Sequence, residues 1–246
     1  MKSKQKFASI FALTAITSIF VIAGLAEIPS SNAATTVTYE VTITNLTPGQ
    51  PFTPPVLVTH NKDVSIFTLG EKASKEIQAL SENGNPEPLV KMISANPGVT
   101  SVVQGTAPLV PANDPGKTGL SSSETFTITT EGSARYLSFA SMLVCTNDGF
   151  AGIDGIRLPL TTRTVYATSF DAMTEVNTED FADMVPPCQD AIGISSADSG
   201  TGTSDPSLAE NGVIIPHPGV FGGADLIPKV HAWNDPVAKI EIHRMN

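Results

Sequence analysis

The chain has 246 residues, of which 41% are hydrophobic, enough for a buried core and enough to exclude a wholly disordered protein. Charged residues make up only 15%, which excludes a coiled coil or a long charged helix, while 19 Gly and 19 Pro favour short elements joined by turns. The formal net charge of −10 argues against a nucleic-acid-binding protein and makes divalent cations better-matched ligands.

The amino-terminal segment has the pattern of a secretory signal. Three lysines precede an uncharged apolar run at 7–26, and small residues surround Ala33, where we expect cleavage. The alternative is an uncleaved membrane anchor, because the run is about as long as a membrane-spanning helix. Cleavage leaves 34–246, which has 213 residues, 11 basic against 23 acidic side chains and a net charge of −12. This mature chain has no second run long enough to span a bilayer, so the sequence predicts an exported protein, periplasmic or extracellular.

The first predicted strand of the mature chain lies at 36–46. Its β-branched and aromatic residues occupy alternate positions from Val37 to Ile43, with polar residues between them, which is typical of a half-buried strand. The run that follows, 45–55, contains four prolines and cannot lie inside a sheet, because proline has no backbone N–H to donate. A second apolar stretch comes next, at 56–60.

Two short helices are predicted after these strands. Apolar residues at positions i, i+4 and i+7 of segment 73–81 share one helical face, and Glu82 lies off that face. Gly84 is expected to end this helix. A second helix at 86–93 precedes an Asn-Pro-Gly turn.

The rest of the chain returns to strand-like runs separated by turn signals. These runs are 124–130, 136–144, 151–158 and 237–243. Segments 105–122 and 186–212 are rich in Pro, Gly, Ser and Asp and are predicted to be long surface loops. Short strands with turns between them predict an all-β fold, an antiparallel β-sandwich with a short helical insertion, formed by a single domain at 34–246.

The mature chain contains two cysteines, Cys145 and Cys188. In an oxidising compartment an even pair most simply forms one disulfide, which here closes a loop of about 43 residues. The alternatives are a metal-binding pair or a nucleophile, which the lack of C-x-x-C spacing and of a nearby histidine disfavours. We therefore predict a Cys145–Cys188 disulfide.

Five stretches of the mature chain carry long motifs in a fixed order. They are YEVTITNLTPGQPFTPP (39–55), LGEKASKEIQALSENG (69–84), SFASMLVCTNDGFAGID (138–154), YATSFDAMTEVNTED (166–180) and HAWNDPVAKIEI (231–242). Together they resemble the spondin amino-terminal domain family in its bacterial form, over roughly 37–243. The resemblance implies a C2-like fold, two packed antiparallel sheets with loops at one end able to hold a calcium ion.

The resemblance also implies which side chains hold that ion. Animal members are secreted matrix or adhesion proteins, and three of their carboxylates approach the metal: one before a strand, one in a P-x-P-D-W-F-x-G-x-D motif and one in a Y-D-A-G-T stretch. Matched position by position, these fall on Glu124, Asp148 and Asp171. Gly149 stands where animal members have tryptophan, and Met173 stands where they have glycine, so the surroundings of the second and third acids are altered.

The residues support the same three positions independently. Calcium takes six to eight oxygen ligands, many of them carboxylates and backbone carbonyls. Glu124, Asp148 and Asp171 each lie at the end of an expected strand, where loops that are distant in sequence can meet. The alternative is that they are ordinary solvated turn residues. The sequence thus predicts Ca²⁺ as a cofactor, with carbonyls near Asn147 and Ala172 as further ligands.

Catalysis is not expected from this sequence. It has no G-x-S-x-G elbow and its four histidines are scattered, so no nucleophile and base can be nominated. The preferred hypothesis is a secreted, non-catalytic, calcium-binding module of adhesion or matrix type, whose partner is an extracellular or envelope protein or glycan. One alternative is a structural cell-envelope protein whose metal is purely structural or absent. A third is a carboxylate-based hydrolase, which the small number of Tyr and Trp residues disfavours because no aromatic-lined sugar groove is evident.

Overall fold

The structure is a computed structural model that describes residues 35–198 and 200–246. The predicted signal at 1–33 lies outside the described residues. The strands are β1 (Val37–Asn45), β2 (Val56–His60), β3 (Val99–Gln104), β4 (Ser123–Thr130), β5 (Tyr136–Met142), β6 (Gly149–Arg157), β7 (Thr162–Asp171), β8 (Ile215–Pro216) and β9 (Ala238–Arg244). The helices are α1 (Lys75–Asn83), α2 (Glu87–Ser94), α3 (Pro187–Ile192) and α4 (Pro228–His231), with a 3-10 turn at Phe181–Asp183.

The strands pair antiparallel throughout, in the order β3-β2-β5-β6-β7-β9-β1-β4, and β8 adds to β7. Strand β7 belongs to both halves of this arrangement, because its residues 162–167 pair with β9 and its residues 168–171 pair with β6. The two terminal strands of the order, β3 and β4, pack against each other. The sheet therefore folds over into a nearly closed barrel or sandwich, which confirms the predicted all-β antiparallel fold.

The core lies between the two halves of the sheet, and β1 shows how the sequence builds it. Tyr39, Val41 and Ile43 point inward and are at most 5% exposed, whereas the residues between them are more accessible. Opposite them, β4 contributes Phe126 and β9 contributes Ile242, both buried. Burying a side chain of this size stabilises a fold by about 1.5–3 kcal/mol, so the alternation predicted at 36–46 fixes which face of β1 packs inward.

The first predicted helix is present as α1 and has a complete cap at each end. The Ser74 hydroxyl accepts a hydrogen bond from the backbone N–H of Ile77 (3.2 Å). Gly84 ends the helix in the left-handed conformation (φ 62°), as predicted. Glu82 lies off the apolar face, as predicted. It is nevertheless only 5% exposed, because loops from the carboxyl-terminal half of the chain cover that side of the helix.

Several elements were not predicted from the sequence pattern, among them β3, the first half of β7 and α3. Strand β3 is half-buried along most of its length, so its sequence does not alternate clearly. The first half of β7 is solvent-exposed and polar, which hides its strand character. Helix α3 lies inside the segment 186–212 that the sequence predicts as loop, and its six residues are too few to show a helical period. None of the helices within 35–198 and 200–246 has the length and apolar character that crossing a membrane requires.

The strand pairing brings several strand ends to one end of the barrel, which we call the rim. There β1 ends beside the start of β4, with Thr44 opposite Ser123, and β6 starts beside the end of β7, with Gly149 opposite Asp171. Glu124 is the second residue of β4, Asp148 directly precedes β6 and Asp171 ends β7. All three sequence-predicted acids therefore belong to the rim.

Candidate cation site at the barrel rim

Asp148 lies in the turn between β5 and β6 and is fully buried. Its Oδ2 accepts hydrogen bonds from the backbone N–H of Thr174 (2.6 Å), the Thr174 hydroxyl (3.1 Å) and the backbone N–H of Glu175 (3.0 Å). Its Oδ1 is buried and has no hydrogen-bond partner among the described residues. A buried carboxylate oxygen without a partner is costly, and a ligand at this oxygen would remove the cost.

Asp171 is an acidic neighbour whose charge acts on the Asp148 carboxyl. It ends β7 opposite Gly149, is 1% exposed, and the backbone N–H that follows it, on Ala172, donates to the carbonyl oxygen of Asp148 (3.3 Å). Its Oδ1 accepts from the backbone N–H of Met173 (2.7 Å) and its Oδ2 from the side-chain amide of Asn177 (2.6 Å). Each of these oxygens keeps a second lone pair that a cation can use.

The two aspartates form an uncompensated acidic pair. Burial, followed by the negative charge of Asp171, raises the pKa of Asp148 to about 7. The ion pairs found in the described part of the chain, Lys62–Asp63 and Lys239–Glu241, involve neither aspartate. A bound cation would neutralise the pair and return Asp148 to its ionised form.

Glu124 lies at the same rim but in different surroundings. Its Oε1 accepts from the backbone N–H and the hydroxyl of Thr106 (both 3.3 Å), and its Oε2 is buried without a hydrogen-bond partner among the described residues. None of the hydrogen bonds described for Glu124 reaches Asp148 or Asp171. Within 35–198 and 200–246, no group of three or more His, Cys, Asp or Glu side chains is arranged to hold a metal ion. Asp148 and Asp171 are therefore neighbours, whereas Glu124 shares no described hydrogen bond with either of them.

Gly149, which replaces the family's tryptophan, has a structural explanation. A Cβ at this position would lie 2.6 Å from the Thr146 hydroxyl and 2.9 Å from Cδ2 of His217, closer than real Cβ contacts. The His217 ring packs on Trp233 with 5.0 Å between ring centroids. Thr146 and His217 therefore occupy the space beside Gly149, and a larger side chain has no room there.

His217 is the residue near the pair that the sequence did not single out for this site. Its Nδ1 accepts from the backbone N–H of Gly219 (3.0 Å), so the neutral ring carries its hydrogen on Nε2, which is buried without a partner in the described part of the chain. Burial lowers the pKa of His217 to about 4, which keeps the ring uncharged at neutral pH despite nearby carboxylates such as Asp171. The only sequence signal was its place between two prolines, which gives no functional information.

The predicted disulfide is present and anchors the Asp148 turn. Cys145 and Cys188 are bonded, 43 residues apart in sequence, with their Cα atoms 5.0 Å apart. Cys145 lies in the turn that carries Asp148, and Cys188 lies in α3. The bond therefore fastens one side of the candidate site to a helix from the carboxyl-terminal half of the chain.

The fold and the site define a class of protein: a disulfide-linked, mostly antiparallel β module with a buried carboxylate pair at one end. Residues 37–175 match the family model described as Spondin_N, which is more than half of the chain. The chain therefore belongs to the Spondin_N family, whose members are extracellular-type modules of a non-enzymatic kind. The matched span contains Glu124, Asp148 and Asp171. Comparison with curated proteins gives no match.

Proposed function

We propose that this protein is a secreted, non-catalytic binding module of adhesion or matrix type, in which a Ca²⁺ ion held by Asp148 and Asp171 fixes the loops at the rim. The observation that carries the proposal is the Oδ1 of Asp148, buried without a hydrogen-bond partner among residues 35–198 and 200–246, beside a second buried carboxylate. Calcium prefers carboxylate and carbonyl oxygens, which is the chemistry that this pair offers.

The ion's role follows from what surrounds the pair. Asp148 receives its hydrogen bonds from Thr174 and Glu175, and Asp171 receives one from Asn177, so both acids contact the segment that follows β7. Calcium would supply the positive charge that the pair lacks and would bind the native state alone, which stabilises that state by mass action. Glu124 remains the predicted third ligand, and its Oε2, buried without a partner among the described residues, supports a cation nearby. Its described hydrogen bonds go to Thr106 and not to the pair, so the proposal rests on Asp148 and Asp171.

The burial of the pair favours one of two roles for the ion. Asp148 is fully buried and Asp171 is 1% exposed, so an ion between them would have little access to a partner molecule. This observation favours an ion that stiffens the rim loops over one that itself bridges to a partner carboxylate. The partner, an extracellular or envelope protein or glycan, would then contact the loops that the ion orders. A structural envelope protein with the same ion is the second candidate.

The test compares wild-type protein with Asp148→Asn, using Asp190→Asn as a matched control because Asp190 is exposed on α3. Thermal melts in calcium and in EDTA should differ for the wild type and for the control, and should differ much less for Asp148→Asn. Identical wild-type melts in the two solutions would reject a stabilising ion. Adhesion of the same proteins to whole cells and to matrix polymers tests the binding role: Asp148→Asn should bind more weakly, and full retention would separate attachment from calcium.

A further inference from the structure

A second oxygen-rich cavity is lined by Glu175, whose backbone N–H donates to Asp148. Its polar lining residues come from the end of α1, from the segment after β7 and from the loop at 201–205; they are Glu82, Glu175, Asp183, Thr201, Thr203 and Asp205. We call it the Glu82 cavity. Its volume of about 70 Å³ accommodates a few water molecules or one ion with part of its hydration shell.

Glu82 is the least compensated charge in this cavity. It is 5% exposed; its Oε1 accepts from the side-chain amide of Gln78 (2.8 Å), and its Oε2 is buried without a partner among the described residues. It also occupies the last turn of α1, where the helix dipole presents its negative end. Burial and the dipole both disfavour a negative charge at this position, so a carboxylate here calls for a positive ligand.

Glu175 brings a second buried carboxylate to the same cavity. It is 4% exposed, and its Oε1 accepts from the backbone N–H of Asp205 (2.7 Å). Glu82, Asp205 and Asp183 add further negative charge around the Glu175 carboxylate. No Lys, Arg or His is among the described residues that line the cavity.

We propose that the Glu82 cavity binds one partly hydrated divalent cation, with the carboxylates of Glu82 and Glu175 as its charged ligands. The cavity is too small to take a lysine or arginine side chain from a partner, and its threonine hydroxyls add neutral oxygens. Because no three acidic side chains converge in a metal-holding arrangement within the described residues, water supplies the remaining ligands. Hard cations such as Mg²⁺ and Ca²⁺ accept such mixed oxygen shells.

The ion would join α1 to the loop at 201–205. The described contacts between them include one exposed hydrogen bond, from the Asn83 side-chain amide to the Ser204 hydroxyl (3.0 Å). A cation bound to Glu82 and Glu175 would hold the same loop from beneath, near the Glu175–Asp205 hydrogen bond. Loss of the ion should therefore raise amide hydrogen exchange in 201–205 more than in α2.

The experiment is calorimetric titration of the mature protein with CaCl₂ and, separately, MgCl₂. The variant Asp148→Asn serves as the background, so that binding at the rim pair does not contribute. We expect one divalent cation to bind in that background, Glu82→Gln and Glu175→Gln each to weaken it at least tenfold, and Glu87→Gln to leave it unchanged. Glu87 is an exposed glutamate on α2 that undergoes the same chemical change.

The outcomes separate this site from the rim pair. Two results would overturn the proposal and leave the rim pair untouched. One is that neither cation binds in the Asp148→Asn background; the other is that a cation binds there and neither Glu82→Gln nor Glu175→Gln weakens its binding. If both glutamine variants weaken cation binding, and Asp148→Asn alone leaves the cation affinity of the wild type unchanged, the result would support the Glu82 cavity and reject the rim pair. Glutamine preserves the size of each side chain and the Glu175 acceptor for Asp205, and circular dichroism checks that both variants fold.

Discussion

Glu175 donates its backbone N–H to the carboxylate of Asp148 (3.0 Å), while its own carboxylate lines the Glu82 cavity. Thr174 donates to the same oxygen of Asp148 through its backbone N–H (2.6 Å). One short segment after β7 therefore contacts both candidate cation sites. An ion at either site would restrict this segment and so prepare the other site for binding.

Without divalent cations, the stability difference between Asp148→Asn and wild type should depend on pH. The raised pKa of Asp148 means that the native state binds this proton more tightly than the unfolded chain, whose carboxyl has its ordinary pKa near 4. The contribution of Asp148 to the free energy of unfolding is fully present below that ordinary pKa and is lost as the pH rises through about 7. Asparagine cannot ionise. Between pH 5 and pH 8 the free energy of unfolding of the variant should therefore rise relative to that of the wild type by about 1–3 kcal/mol.

Urea unfolding in EDTA at several pH values measures this difference. Other titrating groups, His217 and Glu175 among them, are present in both proteins, so their contributions largely cancel. Excess calcium at pH 8 should reverse the order and make the wild type more stable. A difference that does not vary with pH would mean that Asp148 is ionised normally and is not part of an uncompensated pair.

Replacing both cysteines, as Cys145→Ser with Cys188→Ser, should lower the free energy of unfolding by about 4 kcal/mol, because the bond closes a 43-residue loop in the unfolded chain. The same change should weaken calcium binding, since Cys145 lies in the turn that carries Asp148. Denaturant unfolding and calcium titration of the double variant measure the two effects. Unchanged calcium affinity would show that the turn keeps its geometry without the disulfide.

Introducing a side chain at Gly149 should destabilise the protein. In Gly149→Ala the new Cβ would meet the Thr146 hydroxyl, which cannot easily withdraw because it accepts from the Gly149 N–H (2.9 Å). We expect a loss of about 1–3 kcal/mol, as for other overpacked cores. His217→Ala in the same chain should recover part of it, and a double-mutant cycle measures the coupling. Additive effects would show that His217 does not limit the space at 149.

The sequence predicts those elements of the fold that have one buried face and one solvent-exposed face. Strand β1 is such a case, because its inward residues alternate strictly with polar ones. The first half of β7 could not be predicted in this way, because Thr162, Arg163 and Thr164 are all exposed and leave no alternation. Its strand character comes from pairing with β9, a contact distant in sequence.

The same distinction explains what the sequence could predict of the two sites. The acids Glu124, Asp148 and Asp171 follow from expected strand ends and from the family motifs, and they do share the rim. That Asp148 and Asp171 are neighbours depends on the β6–β7 pairing, which local sequence does not encode. The burial of Glu82 was unpredictable for a related reason. A polar residue off the apolar face of a helix is normally solvated, and the segments that cover Glu82, among them the loop at 201–205, are distant in sequence.

A crystal structure of the mature protein grown with calcium tests the rim site most directly. The account predicts an ion within roughly 2.3–2.6 Å of the Oδ1 atom of Asp148 and of an oxygen of Asp171, with carbonyl or water oxygens completing six to eight ligands. A hydrogen-bonded water in that position, or an Asp148 carboxyl that donates its proton to Asp171 in saturating calcium, would contradict it.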